Sequence, residues 1–328
     1  MKEEIYFIEK NEIEKVVKSR LNNFQKAEII SAICRLNTLS IIKRAGSGHL
    51  GTSFSAMDIF VWIKFFKFKT LKNDLKDLNR NIFFSSKGHD APALYSVLYA
   101  LNIVSLKKIL KLRRLGGLDG HPDISTIGIE SNTGSLGMGI SKAKGFLWAK
   151  KYLKLRGNVI VMIGDGEFQE GQIFEALQTT SHQNLNDLIV IMDHNKIQSS
   201  QYVDKIISLG NLQNKIKSFG WHVERCDGHD FKKLDKIFIK FSKIKNKPKF
   251  LIADTIKGRG VKFMEHTQVM KKQKKYNWHA GAPSDLNFKK AQSILLFDLK
   301  KILKKRNIQD LKLTNIALKK KEKVFEIH

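Results

Sequence analysis

Only two cysteines occur in 328 residues, Cys34 and Cys226, far apart and outside any C-x-x-C spacing. Neither a disulfide framework nor a thiolate zinc site can be read from them, and a reducing compartment fits best. Prolines number four, and no Gly/Ser-rich linker or internal repeat interrupts the chain. Nothing therefore marks a domain break before about the last forty residues. Long apolar runs are missing too: the most apolar stretch, 54–68, is interrupted by Asp58 and Lys64 and falls short of a membrane span. The N-terminus opens with Glu3 and Glu4 and lacks the basic-then-apolar order of a signal peptide, so a cytoplasmic protein without a membrane partner is expected. Acidic residues are scarce, 31 Asp plus Glu against 59 Lys plus Arg, for a net charge of +28. The 42% hydrophobic content is enough for a substantial core, which excludes a wholly disordered basic tail. The charge then has two readings: attraction of acidic ligands, nucleic acid or a membrane surface, or lysines decorating solvated faces.

From Glu14 to Arg44 apolar residues recur at helical spacing (Ile29, Ile30, Ile33, Leu36, Leu39, Ile42), and the run stops at Ala45-Gly46-Ser47-Gly48. A helix delivering a glycine-rich turn is predicted. Between Asn158 and Asn195 two continuous apolar runs, 159–163 and 188–192, frame a helical pattern around Phe174, Ala176 and Leu177. Neither run alternates in polarity, which is the pattern of parallel strands buried on both faces. A third run, 250–253, offers another. The expected class is α/β, a parallel sheet flanked by helices on both faces, with ligands at the carboxyl ends of the strands. After Ser284 a Lys-rich amphipathic pattern follows (Ile294, Leu295, Phe297, Leu299, Ile302), ending in the run 319–323, a solvated end or a nucleic-acid arm. The chain is thus partitioned into a domain over 1–285 and a basic helical extension over 286–328.

The first strand ends in Gly164-Asp165-Gly166 and the second in Asp193-His194-Asn195. Asp165 and Asn195 would supply one anionic and one neutral oxygen at adjacent strand ends, a set suited to a hard divalent cation such as magnesium that shares a phosphate-bearing partner. The flanking glycines admit a phosphate to the backbone, and the helix after Gly166 turns its N-terminal amides toward the anion. A magnesium diphosphate is the ligand this unit can hold.

A Gly-Asp-Gly, 30 residues and an Asn between two apolar runs resembles the thiamine diphosphate motif. Four further motifs narrow the resemblance. In order, 46–49 (Gly-Ser-Gly-His), 85–95 (opening Ser-Ser-Lys-Gly-His), 120–122 (Gly-His-Pro), 132–137 (Asn-Thr-Gly-Ser-Leu-Gly) and 164–171 look like transketolase over roughly residues 20 to 285. The resemblance implies thiamine diphosphate and Mg2+ or another divalent cation as cofactors. Asp165 and Asn195 would ligate the metal with side chains and Ile197 with its carbonyl. Gly166 would lend an amide to the diphosphate, and the Gly134 and Leu136 backbones would meet the aminopyrimidine. Glu170 looks like the family's interface glutamate. Imidazoles that titrate near neutral pH suit an enzyme that holds sugar hydroxyls and shuttles a proton. His49 and His121 would lie near the substrate's reacting carbonyl, His89 nearer the diphosphate and thiazolium, and His266 or His279 would be the late-domain histidine, with His279 favoured. Leu50, Met138 and Ala280 depart from the family pattern at the substrate rim.

A full transketolase has three domains, and 328 residues suffice for the first. The resemblance implies the N-terminal subunit of a split enzyme, completed by a partner chain with the pyrimidine-binding domain in a heterotetramer. Such an enzyme transfers a two-carbon ketol unit from a ketose, expected to be a phosphate, to an aldose. The alternatives are a chain of another thiamine enzyme, of 2-oxo acid dehydrogenase or deoxyxylulose-phosphate synthase type, and a basic nucleic-acid-binding protein. The second lacks any zinc pattern, aromatic-interleaved basic strand or basic recognition helix in its support.

Overall fold

A computed structural model describes residues 4–69 and 72–317; the lysine run 319–323 lies outside them. Five parallel strands, β1 (Ile82–Ser85), β2 (Val159–Gly164), β3 (Leu188–His194), β4 (His222–Asp227) and β5 (Lys249–Asp254), lie in the order β1-β2-β3-β5-β4. Val159 is level with Leu188, and Ile189 with Lys249, so the strands finish nearly in line. β2 and β3 are the two apolar runs read above. Their residues alternate between two cores rather than between core and water. Ile160, Met162, Ile189 and Ile191 belong to one cluster, and Val159, Val161, Leu188 and Val190 to the other. That is why the sequence shows no polar alternation, and truncating one of these side chains to alanine is worth about 2–5 kcal/mol. β4, at the sheet edge, does alternate.

Helices cover both faces. On one side lie α1 (Asn23–Ala45), α2 (Leu50–Val61), α3 (Ala91–Ala100), α6 (Phe231–Lys243) and α7 (Asp285–Lys305); on the other lie α4 (Gly139–Tyr152) and α5 (Gly171–His182). The single helix predicted from Glu14 is two, Lys10–Lys18 and α1. The break is made at Asn22, whose side chain accepts from the Gln25 amide while Gln25 returns the bond, a capping box. α1 ends at Gly46 in the left-handed region (φ 77°), and the turn 46–49 leads directly into α2.

Every residue of α2 is buried, Asp58 included, and Lys64 in the following turn is 1% exposed. Those two charges looked like interruptions of an apolar run. Asp58 instead meets Arg35 and His229 inside the fold, and no helix among the described residues is long and apolar enough to cross a membrane. Beyond Ser284, α7 packs along α1, with Phe288, Leu295, Leu299 and Leu303 buried. Phe297, read as part of the apolar stripe, is 69% exposed because it falls on the opposite side of the helix.

Candidate active site

Four segments converge at the carboxyl edge: 85–89 after β1, 165–167 after β2, 195–199 after β3 and 255–257 after β5. With Thr52 of α2 and the 121–136 and 279 loops they enclose a cavity of about 230 Å³. His89, His121, Gly134, Leu136, Asp165, Gly166, Asn195, Ile197 and His279 all line it. His49 stands beside the cavity with its ring against three of these histidines. Glu170 does not line it: its side chain is exposed, and it lies against Gly137, where an added Cβ would come within 2.6 Å of the Glu170 Cβ. A larger cleft of about 640 Å³, lined in part by Arg35, Asp58 and Arg259, contains none of the strand-end residues.

The floor is a buried ion network. Lys87 Nζ sits 2.6 Å from Asp193 Oδ2, 3.3 Å from Asp90 Oδ2 and 3.0 Å from Thr52 Oγ1. Asp193 also accepts from Ser55 Oγ, Thr255 Oγ1 and Asn195 Nδ2. The last bond fixes the amide of Asn195, leaving its Oδ1 to accept from the Ile197 amide at 3.1 Å. Asp165 accepts from the Gly166 amide at 2.8 Å and from the Lys196 amide. Burial, reinforced by Asp193, lifts its carboxyl above the ordinary range. A bound cation would reverse that lift. The Ile197 carbonyl accepts from Lys257 Nζ at 2.9 Å. Burial pushes the Lys257 ammonium down to about 7, against the opposing pull of Asp165.

The histidines form one cluster. His49 lies 5.5 Å from His89, 5.3 Å from His279 and 6.3 Å from His121, ring centre to ring centre, and His89 lies 5.6 Å from His279. His266 is elsewhere, buried behind the 255–257 turn with its Nδ1 accepting from the Lys257 amide. Nδ1 of His89 meets the Lys87 carbonyl at 2.8 Å, so it carries the proton and Nε2 is the acceptor. All four rings titrate below their ordinary value. Burial, with neighbouring imidazoles and cations, takes His49 to about 3; burial and Lys257 take His279 to about 4; burial and Arg113 lower His121; burial and Lys87 lower His89 far. The expectation of imidazoles poised near neutral pH is thereby corrected: packing four rings together with lysine and arginine leaves them neutral, able to donate at one nitrogen and accept at the other.

Several lining residues escaped the sequence reading. Lys257 sits three residues beyond the end of β5, where a lysine past a strand's carboxyl end was a signal for an anion. Glu167 follows Asp165 by two and is buried, accepting from the Gly164 and Gly137 amides, both at 3.0 Å, and from Ser86 Oγ. It ties the loop carrying Gly134 and Leu136 to the sheet. Gln198 and Thr52 carried no motif signal.

These residues fit a metal diphosphate. The strand-end donors are all oxygens, as magnesium requires. His49 Nδ1 and Gln198 Oε1 are buried without a partner, so polar capacity is left for a ligand. Gly88 and Gly134 bring two backbones into contact where an added Cβ would meet atoms at 2.7 Å.

An α/β sheet with this cradle at its carboxyl edge defines a class of diphosphate-binding proteins, and residues 25–291 match the family described as transketolase, thiamine diphosphate binding domain. The chain belongs to the transketolase family and carries its thiamine diphosphate-binding portion. It is 31% identical over 281 residues to one of the subunits of the apulose-4-phosphate transketolase of Phocaeicola vulgatus, covering 85% of this chain and 97% of that one. With the 6-deoxy-6-sulfo-D-fructose transketolase subunit SqwG of Clostridium sp. it shares 35% over 235 residues, 71% of this chain and 86% of that one. The crystal structure of Campylobacter jejuni transketolase superposes with a TM-score of 0.70 at 25% identity, over 88% of this chain. The match spans about half of that longer transketolase, 49% of it.

Proposed function

We propose that this chain is the cofactor-binding subunit of a two-polypeptide transketolase, moving a two-carbon ketol unit from a ketose phosphate to an aldose. On this reading the diphosphate-binding domain falls within residues 1–285, and the basic extension after it begins with α7 (Asp285–Lys305). A partner subunit supplies the pyrimidine-binding domain, two copies of each chain making a heterotetramer. The observation that carries this reading is the convergence of Asp165, Asn195, Ile197 and Lys257 on one small cavity walled by His89, His121 and His279, with His49 packed against all three.

Asp165, Asn195 and the Ile197 carbonyl would hold the magnesium, and Lys257 with the amide-rich turn at Gly166 would offset the diphosphate charge. Thiamine diphosphate, when bound, supplies the carbon nucleophile that carries the two-carbon unit. The neutral imidazoles of His49, His121 and His279 orient the sugar hydroxyls, and His89, protonated on Nδ1, presents Nε2 as the acceptor for a proton near the reacting carbon. Leu136, which lines the cavity, is 41% exposed, and Met138 two residues on is 37% exposed, a rim open to cover by the partner, with Glu170 nearby as the contact between neighbouring sites.

The test is reconstitution. The chain alone should show little ketol transfer. Added to a partner carrying the missing domains, it should give activity that requires both magnesium and thiamine diphosphate. Loss of cofactor binding by Asp165→Ala in the complex supports the reading; calorimetry that shows no thiamine diphosphate binding, or binding unaffected by that substitution, ends it.

A further inference from the structure

Lys257 reaches the cavity from the segment 255–260, which continues past the end of the sheet. β5 ends at Asp254, and the turn contains Gly258 and Gly260, both at positive φ (84° and 97°). Its amides are held one by one. The Thr255 amide donates to the His194 carbonyl at 3.2 Å, and the Gly258 amide donates to the Gly51 carbonyl at 2.9 Å. The two amides between them have side-chain acceptors, and both acceptors are imidazoles. Ile256 N–H donates to His229 Nε2 at 2.9 Å, and Lys257 N–H donates to His266 Nδ1 at 3.1 Å.

We propose that His229 and His266 are positioning residues that clamp the Lys257 turn and thereby aim its ammonium at the diphosphate end of the site. The clamp rests on the functional reading above only for the identity of the ligand. An imidazole accepts at a nitrogen only when that nitrogen carries no proton. For His229 the other nitrogen, Nδ1, therefore donates to Asp58 Oδ2, 2.7 Å away. Asp58 is in turn gripped by Arg35, whose Nη1 and Nη2 lie 3.0 and 2.6 Å from its two oxygens. The chain Arg35, Asp58, His229, Ile256 amide runs from the centre of α1 through α2 to the residue before Lys257. Arg35 also packs against the far end of the turn, where a Cβ on Gly260 would meet its Cδ at 3.2 Å. From the other side His266, at the start of the helix His266–Lys272, closes the clamp: its own amide donates to the Lys257 carbonyl at 2.9 Å. Lys257 is thus held at both its N–H and its C=O by one histidine, and at the preceding amide by another. Neither ring lines the cavity.

Hydrogen exchange on the full chain reads the clamp without any ligand. Amides over 255–261 should exchange roughly fivefold to tenfold faster in His229→Phe and in His266→Phe than in the unmutated chain, the usual worth of one lost hydrogen bond. His266→Asn, whose Oδ1 can replace Nδ1 as acceptor, should restore protection. His229→Gln, with Oε1 in the place of Nε2, serves if the Phe variant does not fold, and should keep the turn protected. In the complex with the partner subunit, each Phe variant should weaken thiamine diphosphate binding by roughly tenfold with magnesium present, and neither should weaken it further in a Lys257→Met background. Unchanged exchange over 255–261, no rescue by the acceptor variants, or losses that simply add to that of Lys257→Met would overturn the clamp. Failure of the unmutated complex to bind thiamine diphosphate would overturn the functional reading instead, and the exchange result would still decide the clamp.

Discussion

Lys257 Nζ lies 2.9 Å from the carbonyl oxygen of Ile197 and 3.4 Å from Nδ1 of His279. One buried cation thus links the strand-end oxygens around Asp165 and Asn195 to the histidine wall. Its charge has no carboxylate within ion-pair distance among the described residues, in contrast to Lys87, which has two. An ammonium buried without an anion is costly unless an anionic ligand arrives.

Replacing Lys257 by Met should therefore cost affinity for the anionic cofactor while leaving the fold intact, since the methionine fills similar space and removes a desolvated charge. Calorimetry on the assembled complex should show thiamine diphosphate binding weakened by about tenfold or more, in keeping with the strength of charge-assisted contacts. Lys257→Arg should not restore it: Lys257 Nζ already lies 2.9 Å from the Ile197 carbonyl and 3.4 Å from the Ser199 carbonyl, and the guanidinium fork is larger and cannot shed its proton. Equal affinity in Met and wild-type complexes would remove Lys257 from the diphosphate end.

Gly88 sits at φ 67°, and a Cβ there would lie 2.7 Å from the Gly134 backbone and 2.8 Å from His121 Cδ2. Gly88→Ala therefore combines left-handed strain with a collision against main chain that cannot rotate away. Chemical denaturation should show a loss of roughly 1–3 kcal/mol, and thiamine diphosphate affinity should fall as well, because the 134–136 loop and the His121 ring are pushed apart. Wild-type stability together with wild-type affinity would mean that the two backbones do not need this contact.

How much of this was legible in the chain depends on where the signal lay. β2 and β3 were readable because burial on both faces makes them unbroken apolar runs, and Asp165 and Asn195 because they end those runs. β1 was not: Ile82–Ser85 has only four residues and leads into a motif read for its chemistry. β4 escaped because an edge strand with Glu224 and Arg225 exposed in part looks like a loop. Asp58 and Lys64 rightly argued against a membrane span, but their burial was not legible, since a sequence shows a charge and not the Arg35 that neutralises Asp58 from another helix. His279 was favoured over His266 from the motif around it, and folding turns His279 toward the cavity and His266 toward the backbone of Lys257. The +28 charge, the first feature to suggest a nucleic-acid partner, says little about the site, whose cations are the few that are buried.

The Arg35–Asp58 pair supplies a pH test with a definite sign. The two side chains are 9% and 7% exposed. Burial alone would raise the Asp58 carboxyl, but the Arg35 charge and the hydrogen bond from His229 outweigh it and hold the group well below the ordinary carboxylate range. A carboxyl with a depressed folded-state pKa binds fewer protons folded than unfolded, so its contribution to stability is complete above the unfolded value, about 3.9, and is lost as pH falls below it. Urea unfolding at pH 3, 5 and 7 should accordingly show wild-type stability dropping at the acid end. Arg35→Met strands the carboxylate and should cost about 3–5 kcal/mol at pH 7. Adding Asp58→Leu to that variant removes the stranded charge, so the double variant should recover part of the loss and show a shallower decline between pH 5 and 3. A double variant as acid-sensitive as wild type would assign the acid loss to other carboxylates and leave this pair without a role in it.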